Sequence, residues 1–475
     1  MGRDKLPAVK KSRLWGHAFD APPDPKAWEF SQSIGTDLNL LREELEVSLA
    51  HVRMLGRRGI LARKDARTLA SAIEGMLEEA ELGKLKLPRN AEDIHEAVEA
   101  ELARRIGETA GKLHTARSRN DLIATTTRLY TMRRCAELQA GIKALQKTLV
   151  RLGSKHKRHP MPGYTHQQRA QPLTLGFHLL AYFWMLQRDG VRLEQVARMA
   201  DGCPLGSAAL AGTPFPIDRE FTAKELGFSH ASPNALDAVS DRDFVADALH
   251  ACASLMVHLS RIAQDLILWS SAEYAFVSLP PSLTTGSSIM PQKRNPDMAE
   301  LIRARAARAI GNLTAMHATM KALPMGYNRD TQEDKPPLFD ALRLCADSLE
   351  LTDKMLHGAR FHTKRMAAAA EEGFLSATAI ADRLAAQGIP FRKAHELVAR
   401  LVRECEQRGL ALPDLTPELL SECLPEAPAE VLEAIPAKAG IESRSSLGGP
   451  AETAVNRQLA HARALLRKKG FPSQA

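Results

Sequence analysis

Apolar residues recur at Val245, Ala248, Cys252, Leu255, Leu259, Ile262, Leu266 and Trp269, in alternating steps of three and four. That register is a heptad, and it predicts a long helix with one buried seam. A helix of this kind needs partners on its apolar face, which points to a bundle and to an oligomer built from it. Long amphipathic stretches of the same character fill the chain from about 112 to 362. Residues 1–111 instead mix short helical segments with loops such as Ala21-Pro22-Pro23-Asp24-Pro25. Residues 363–475 carry shorter helices broken by Gly388, Gly409, a Pro-rich stretch from Pro413 to Pro436, and Gly448-Gly449. No strong strand alternation and no internal repeat is present. The expected fold is all-α with three domains: an N-terminal mostly helical domain over 1–111, a central helical-bundle domain over 112–362 and a small helical C-terminal domain over 363–475.

One junction stands apart from this regular pattern. Thr284-Thr285-Gly286-Ser287-Ser288-Ile289-Met290-Pro291 is small and flexible, and it runs into Gln292-Lys293-Arg294-Asn295-Pro296-Asp297. Asn295 suits a helix N-cap and Pro296 the first helical position, while Asp297 and Glu300 favour the positive end of the helix dipole. An Ala-rich helix is expected to follow, from Leu301 to Leu323. Hydroxyls, backbone N–H groups and an ammonium thus gather at one helix start, where anions bind readily. A merely capped helix needs none of the preceding loop. The flexible approach to Ser287 is that of a lid closing over a ligand.

Composition narrows the classes. Hydrophobic content of 44% and charged content of 25% are ordinary for a globular chain, while aromatics at 5% favour tightly packed helices over a β-rich fold. The net charge of +8 suits anionic small molecules, and no finger or aromatic-interleaved basic stripe accompanies it, so no nucleic-acid partner is expected. The six cysteines are scattered with no CxxC pair, which argues against a disulfide framework and a zinc site. The first residues lack the apolar core of a secretory signal. The most apolar run, Leu173 to Leu186, is too short to span a bilayer and contains His178. No membrane association and a cytoplasmic location are expected.

Further motifs carry candidate chemistry. Gly163-Tyr164-Thr165-His166-Gln167-Gln168-Arg169-Ala170-Gln171-Pro172 presents an imidazole, a proton carrier near neutral pH. His114-Thr115-Ala116-Arg117-Ser118-Arg119-Asn120-Asp121 is a donor-rich turn whose guanidinium fork suits a carboxylate. Tyr327-Asn328-Arg329-Asp330-Thr331-Gln332-Glu333-Asp334-Lys335 is, by composition, only a polar loop.

Taken together these strings resemble the fumarase/aspartase superfamily, and the Gln-Lys-Arg-Asn-Pro-Asp variant of the loop is similar to that of argininosuccinate lyases. The resemblance covers nearly the whole chain. It implies a three-domain fumarase/aspartase-type fold with a central long-helix bundle, in a homotetramer whose active sites are shared between chains. It implies a carbon–nitrogen lyase that splits argininosuccinate into arginine and fumarate, the last step of arginine biosynthesis, with no metal and no cofactor. By the same resemblance Ser287 is the base, His166 the group that protonates or steers the departing guanidine, Glu300 the carboxylate paired with His166, and Lys293 with Asn295 the stabilisers of the intermediate. Ser118, Arg119 and Asn120 are implied to bind the carboxylates of the succinyl half, and Tyr327, Gln332 and Lys335 the arginine half. Thr165, Ser33 and Asp37 are implied as further substrate contacts, with Asp93 and His95 of Glu92-Asp93-Ile94-His95 as weaker candidates. Leu236-Asp237-Ala238-Val239-Ser240-Asp241-Arg242-Asp243 also follows the pattern and reads as a helix start rather than chemistry.

The chain departs from the family's strings at a few positions. Ala116 stands where the family has Gly, which matters only if the backbone there is one alanine adopts at a cost. Gly16-His17-Ala18 lacks the family's arginine, and Glu44 and Val47 replace an Asp and a Gly. Two rival readings follow: a sibling lyase releasing fumarate and a different amine, and a non-catalytic structural protein on the same fold.

Overall fold

The computed structural model describes residues 24–88 and 90–471; the departures at Gly16-His17-Ala18 and the loop before Asp24 lie outside them. Helices dominate, as expected from the patterning. Those used below are α1 (Leu41–Arg57), α2 (Arg63–Glu81), α3 (Ile94–Ile106), α4 (Arg119–His156), α5 (Leu175–Ala200), α6 (Asp243–Ser270), α7 (Asp297–Met320) and α8 (Lys335–Gly358). Two small antiparallel pairs complete the set: the hairpin of β1 (Pro160–Thr165) with β2 (Gln168–Thr174), and Val277–Ser278 with the distant Arg360–Phe361.

The chain forms two compact units that do not follow its linear order. Among the described residues, the first gathers 24–88, 90–135, 196–249 and 312–340; the second gathers 136–195, 250–311 and 341–471. The three regions read from the sequence are divisions along the chain, whereas these are divisions in space.

In the first unit, α1, α2 and α3 pack through helix-spaced apolar residues. Leu45, Leu49, Val52 and Leu55 of α1 meet Leu69, Ile73 and Met76 of α2 and Ile94, Val98 and Leu102 of α3. Each set recurs every three or four residues and so occupies one face. Asp93 caps α3 by accepting from the Glu96 N–H at 2.8 Å.

In the second unit, every residue of the heptad seam that falls there is buried: Cys252, Leu255, Leu259, Ile262, Leu266 and Trp269 are each at most 3% exposed. Val245 and Ala248, in the first unit, are fully buried. By length and composition α6 is apolar enough to cross a membrane. Its polar residues nonetheless find partners within the unit. Asp265 bonds His178 Nε2 at 2.7 Å and the Tyr182 hydroxyl, both on α5, and His258 Nδ1 bonds Asp189 at 2.7 Å.

Helix α7 corrects two sequence expectations. It starts at Asp297, with the Glu300 N–H bonded to the Pro296 carbonyl at 3.1 Å, so Pro296 rather than Asn295 occupies the cap position. The Asn295 carboxamide is engaged elsewhere, donating to Thr285 Oγ1 at 3.3 Å and to the Gly286 carbonyl at 3.4 Å. The helix also ends at Met320, short of Leu323, because Ala322 turns left-handed at φ 63°.

Candidate active site

The first unit holds a cavity of about 110 Å³ lined by residues from stretches far apart in the chain. Ser33 and Asp37 come from the N-terminal segment, Asp93 and His95 from the start of α3, Arg119 and Asn120 from the start of α4, and Tyr327, Gln332 and Lys335 from the segment entering α8. Seven of the ten substrate-binding candidates therefore meet in one place. Asp37 is 2% exposed, and burial raises its pKa against the pull of the Ser33 hydroxyl and the Lys335 ammonium. Its Oδ2 accepts from Ser33, while its buried Oδ1 has no hydrogen-bond partner. An orphaned carboxylate oxygen in a binding cavity is a place for a ligand donor.

Arg119 bridges Glu92 at 3.1 Å and Asp93 at 3.0 Å, and Arg329 reaches the other Glu92 oxygen at 2.9 Å. Lys335 is 3% exposed and donates to Asp334 Oδ1 at 2.7 Å. The other Asp334 oxygen takes the buried Arg242 guanidinium at 2.5 Å. Burial alone would raise the Asp334 pKa, but the charges of Lys335 and Arg242 outweigh it and hold it below the ordinary value. Arg242 is thus more than a helix-start residue: it anchors the carboxylate that fixes Lys335. Ser118 is placed differently from its expectation. It does not line the cavity; its Oγ accepts the Asn120 N–H at 3.3 Å and so caps α4. Buried Asp121 then ties this turn to a second loop, accepting from the backbone N–H of Ser118, Gly206 and Ala208 at 2.8–2.9 Å.

The second unit carries the remaining candidates. The loop around Ser287 is closed at its base by a reciprocal backbone pair. Thr285 N–H donates to Asn295 O at 3.1 Å, and Asn295 N–H donates to Thr285 O at 2.8 Å. Inside it, Ser287 Oγ accepts the N–H groups of Ile289 at 3.3 Å and Met290 at 3.1 Å. Lys293 and Glu300 are exposed. Thr165 and His166 are exposed on the hairpin, whose paired ends Thr165 and Gln168 leave His166 and Gln167 as a two-residue turn. Both turn residues have positive φ, 52° and 59°. That is the signature of a type I′ turn, which ordinarily takes Asn-Gly. Among the described residues no hydrogen bond joins His166 to Glu300 or to Ser287 within the chain.

The unit's larger cavity, about 540 Å³, borders the same hairpin. None of the candidate residues lines it. The smaller cavity, with its orphaned carboxylate oxygen, is the better ligand site.

Comparison with known proteins bears on this arrangement. A family model described as lyase matches residues 18–311, and one described as argininosuccinate lyase C-terminal matches residues 374–442. The argininosuccinate lyase of Symbiobacterium thermophilum is 44% identical over 458 residues, covering 96% of this chain and 99% of that protein. That of Geobacillus kaustophilus is 45% identical over 454 residues, again covering 96% and 99%. The chain belongs to the argininosuccinate lyase family. Among solved structures, EDDS lyase in complex with formate matches with a TM-score of 0.82 at 29% identity, covering 94% of this chain and 90% of that one. The 3-carboxy-cis,cis-muconate lactonizing enzyme from Pseudomonas putida, at 20% identity and a TM-score of 0.72 over 89% and 94%, shares the fold. The expected fumarase/aspartase-type helical architecture is therefore present.

Departures from the argininosuccinate lyase strings can now be placed. Ala116 has φ 62°, the left-handed region where the family's glycine is at ease and alanine is strained. Val47 is fully buried against Leu122, Leu129 and Phe228, so it fills core. Glu44 is buried too, but its carboxylate bonds His95 of the cavity at 2.7 Å. Sequence reasoning gave Arg242, Asp334 and Arg329 no part. The charged residues clustered from Arg329 to Lys335 were a signal for that stretch, and Arg242 had none.

Proposed function

We infer that this chain is a carbon–nitrogen lyase that splits argininosuccinate into arginine and fumarate by β-elimination, the last step of arginine biosynthesis. One observation carries the reading: donors and acceptors from four distant stretches converge on a single cavity, in a chain 44–45% identical to argininosuccinate lyases over nearly its whole length. Arg119 and Asn120 suit the succinyl carboxylates, and Tyr327, Gln332 and Lys335 the arginine half. The unspent Asp37 oxygen suits a cationic donor of that half.

The chemical difficulty is a weakly acidic C–H beside a carboxylate. Ser287 Oγ removes that proton as an alkoxide, and the electron pair passes onto the neighbouring carboxylate. A serine is too weak a base unless its anion is stabilised. The Ile289 and Met290 N–H groups already point at Ser287 Oγ and hold the oxygen in either state. Preorganised donors of this kind contribute about 3–4 kcal/mol each. Lys293, on the same loop, and Asn295 face the doubly charged intermediate. Collapse of that intermediate forms the C=C bond and breaks the C–N bond, and His166 delivers the proton to the departing guanidine. Glu300 orients His166 from another chain, which fits the absence of a bond between them within one. The active sites are shared among the chains of a homotetramer. Exposed apolar side chains on α6 and α7, Val257 at 40%, Leu301 at 44% and Ile310 at 47%, offer surface for that assembly. The enzyme acts in the cytoplasm and takes a small-molecule substrate, with no organic cofactor or metal in these steps.

The test is cleavage of argininosuccinate, followed by the ultraviolet absorbance of fumarate, beside a Ser287→Ala control. Turnover lost in the control is expected. Fumarate from other succinyl-amines but not from argininosuccinate would favour the sibling lyase, and none from any would favour the structural protein.

A further inference from the structure

The Glu44–His95 pair is the strongest feature that the reaction scheme leaves unused. Glu44, on α1, is fully buried; its Oε2 accepts from His95 Nδ1 at 2.7 Å and its Oε1 from the Ser48 hydroxyl at 3.3 Å. Ser48 in turn receives Arg117 at 3.0 Å, so the carboxylate is gripped from both sides. His95 is 4% exposed and lines the substrate cavity. With Nδ1 spent on Glu44, Nε2–H is the ring's remaining donor.

We propose that Glu44 is a positioning residue for the lyase reaction: it fixes the His95 ring so that Nε2–H serves as a charged donor to a substrate oxygen in the cavity. The inference rests on the argininosuccinate reading of that cavity. Carboxylate–imidazole pairing both selects the ring orientation and favours the imidazolium. Burial alone would lower the His95 pKa, but the Glu44 carboxylate, helped by Asp93 and Asp37, pushes it up to about 9. The groups facing the ring are thus Glu44 from α1, Asp37 from the N-terminal segment and Asp93 from its own helix cap. The cations Arg119 and Lys335 line the same cavity. The donor is therefore charged throughout the neutral range. The family's Asp at position 44 is one methylene shorter, and this chain keeps the carboxylate while changing its reach.

The experiment is a pH profile of argininosuccinate cleavage from pH 6 to 10, for the unaltered enzyme, Glu44→Gln, Glu44→Asp and His95→Gln. The unaltered enzyme is expected to lose kcat/KM as pH rises through about 9. In Glu44→Gln that limb moves down by more than about one pH unit and KM rises about tenfold, as loss of a charge-assisted hydrogen bond implies, with kcat nearly kept. Glu44→Asp restores the limb, and His95→Gln abolishes it. A pair that only ties α1 to α3 would lower thermal stability and leave KM and the limb where they were. That result in a folded Glu44→Gln overturns the proposal. Should Glu44→Gln not fold, His95→Gln decides, and an unchanged KM and limb there are equally fatal. An unaltered enzyme that releases no fumarate refutes the reading of the cavity and takes the proposal with it.

Discussion

Replacing Asp334 by Asn removes one charge and almost no volume, which makes it a clean probe of the buried Arg242–Asp334–Lys335 cluster. The three side chains are 1%, 0% and 4% exposed. One acceptor oxygen survives, but two buried cations lose their counter-charge. Removing one partner of a buried ion pair costs about 3–5 kcal/mol, against about 0–1 for an exposed pair. With unfolding entropy of about 2.1 cal/mol/K per residue and 475 residues, the chain gains roughly 1 kcal/mol per kelvin at its midpoint. Asp334→Asn should therefore melt about 3–5 °C lower at pH 7. Lys354 and Glu350 form an exposed pair, at 58% and 65% exposure. Breaking it with Glu350→Gln should move the midpoint by less than about 1 °C at the same scan rate. The pH dependence has a definite sign. The Asp334 pKa is depressed in the folded chain, so its contribution is present above the ordinary value of 3.8 and is lost as pH falls through the folded value. The gap between Asp334→Asn and the unaltered chain should thus be full at neutral pH and narrow in acid. KM should rise with it, because Lys335 loses the group that aims it. A folded Asp334→Asn that melts within about 1 °C of the parent, or a gap that persists in acid, refutes the reasoning.

Two further predictions concern the second unit. Gln167→Gly should relieve about 1 kcal/mol of left-handed strain in the hairpin turn, slowing deuterium exchange several-fold in peptides spanning Pro160–Thr174; unchanged or faster exchange would show that the turn is not strained there. Mixing inactive Ser287→Ala chains with inactive His166→Asn chains should restore part of the activity after subunit exchange, and silence at every mixing ratio would exclude active sites shared between chains.

The seam of α6 was legible in the sequence because a heptad depends only on local spacing, and all eight of its apolar positions are buried. The hairpin bearing His166 was not. Pro160, Pro162 and Pro172 weaken the strand pattern, and the turn lacks the glycine or asparagine that marks such turns. Asn295 misled for a related reason: capping preference is local, whereas its carboxamide is drawn to Thr285 and Gly286 across a loop closure. Ser118 has a structural part that its motif did not announce, since its Oγ caps α4. Arg242 was invisible as part of the site because its partner Asp334 lies ninety-two positions away. Motif strings carried the candidate residues, but only the folded chain shows which side chains hold them in place.

Backbone strain points to the same segments by an independent route. Among the described residues six that are not glycine have positive φ. His166 and Gln167 form the hairpin turn, Ala116 lies within the donor-rich turn, and Ala208 bonds Asp121 at the end of that turn. Each such residue costs about 1–2 kcal/mol, and strain persists where surrounding contacts over-determine it. A chain selected only for stability would put Asn or Gly at 166 and 167, as type I′ turns prefer. Asn at 166 would have no imidazole with which to move a proton. Strain at 166 is therefore explained by the chemistry proposed for His166, and strain at 116 by a turn whose shape the family ordinarily leaves to glycine.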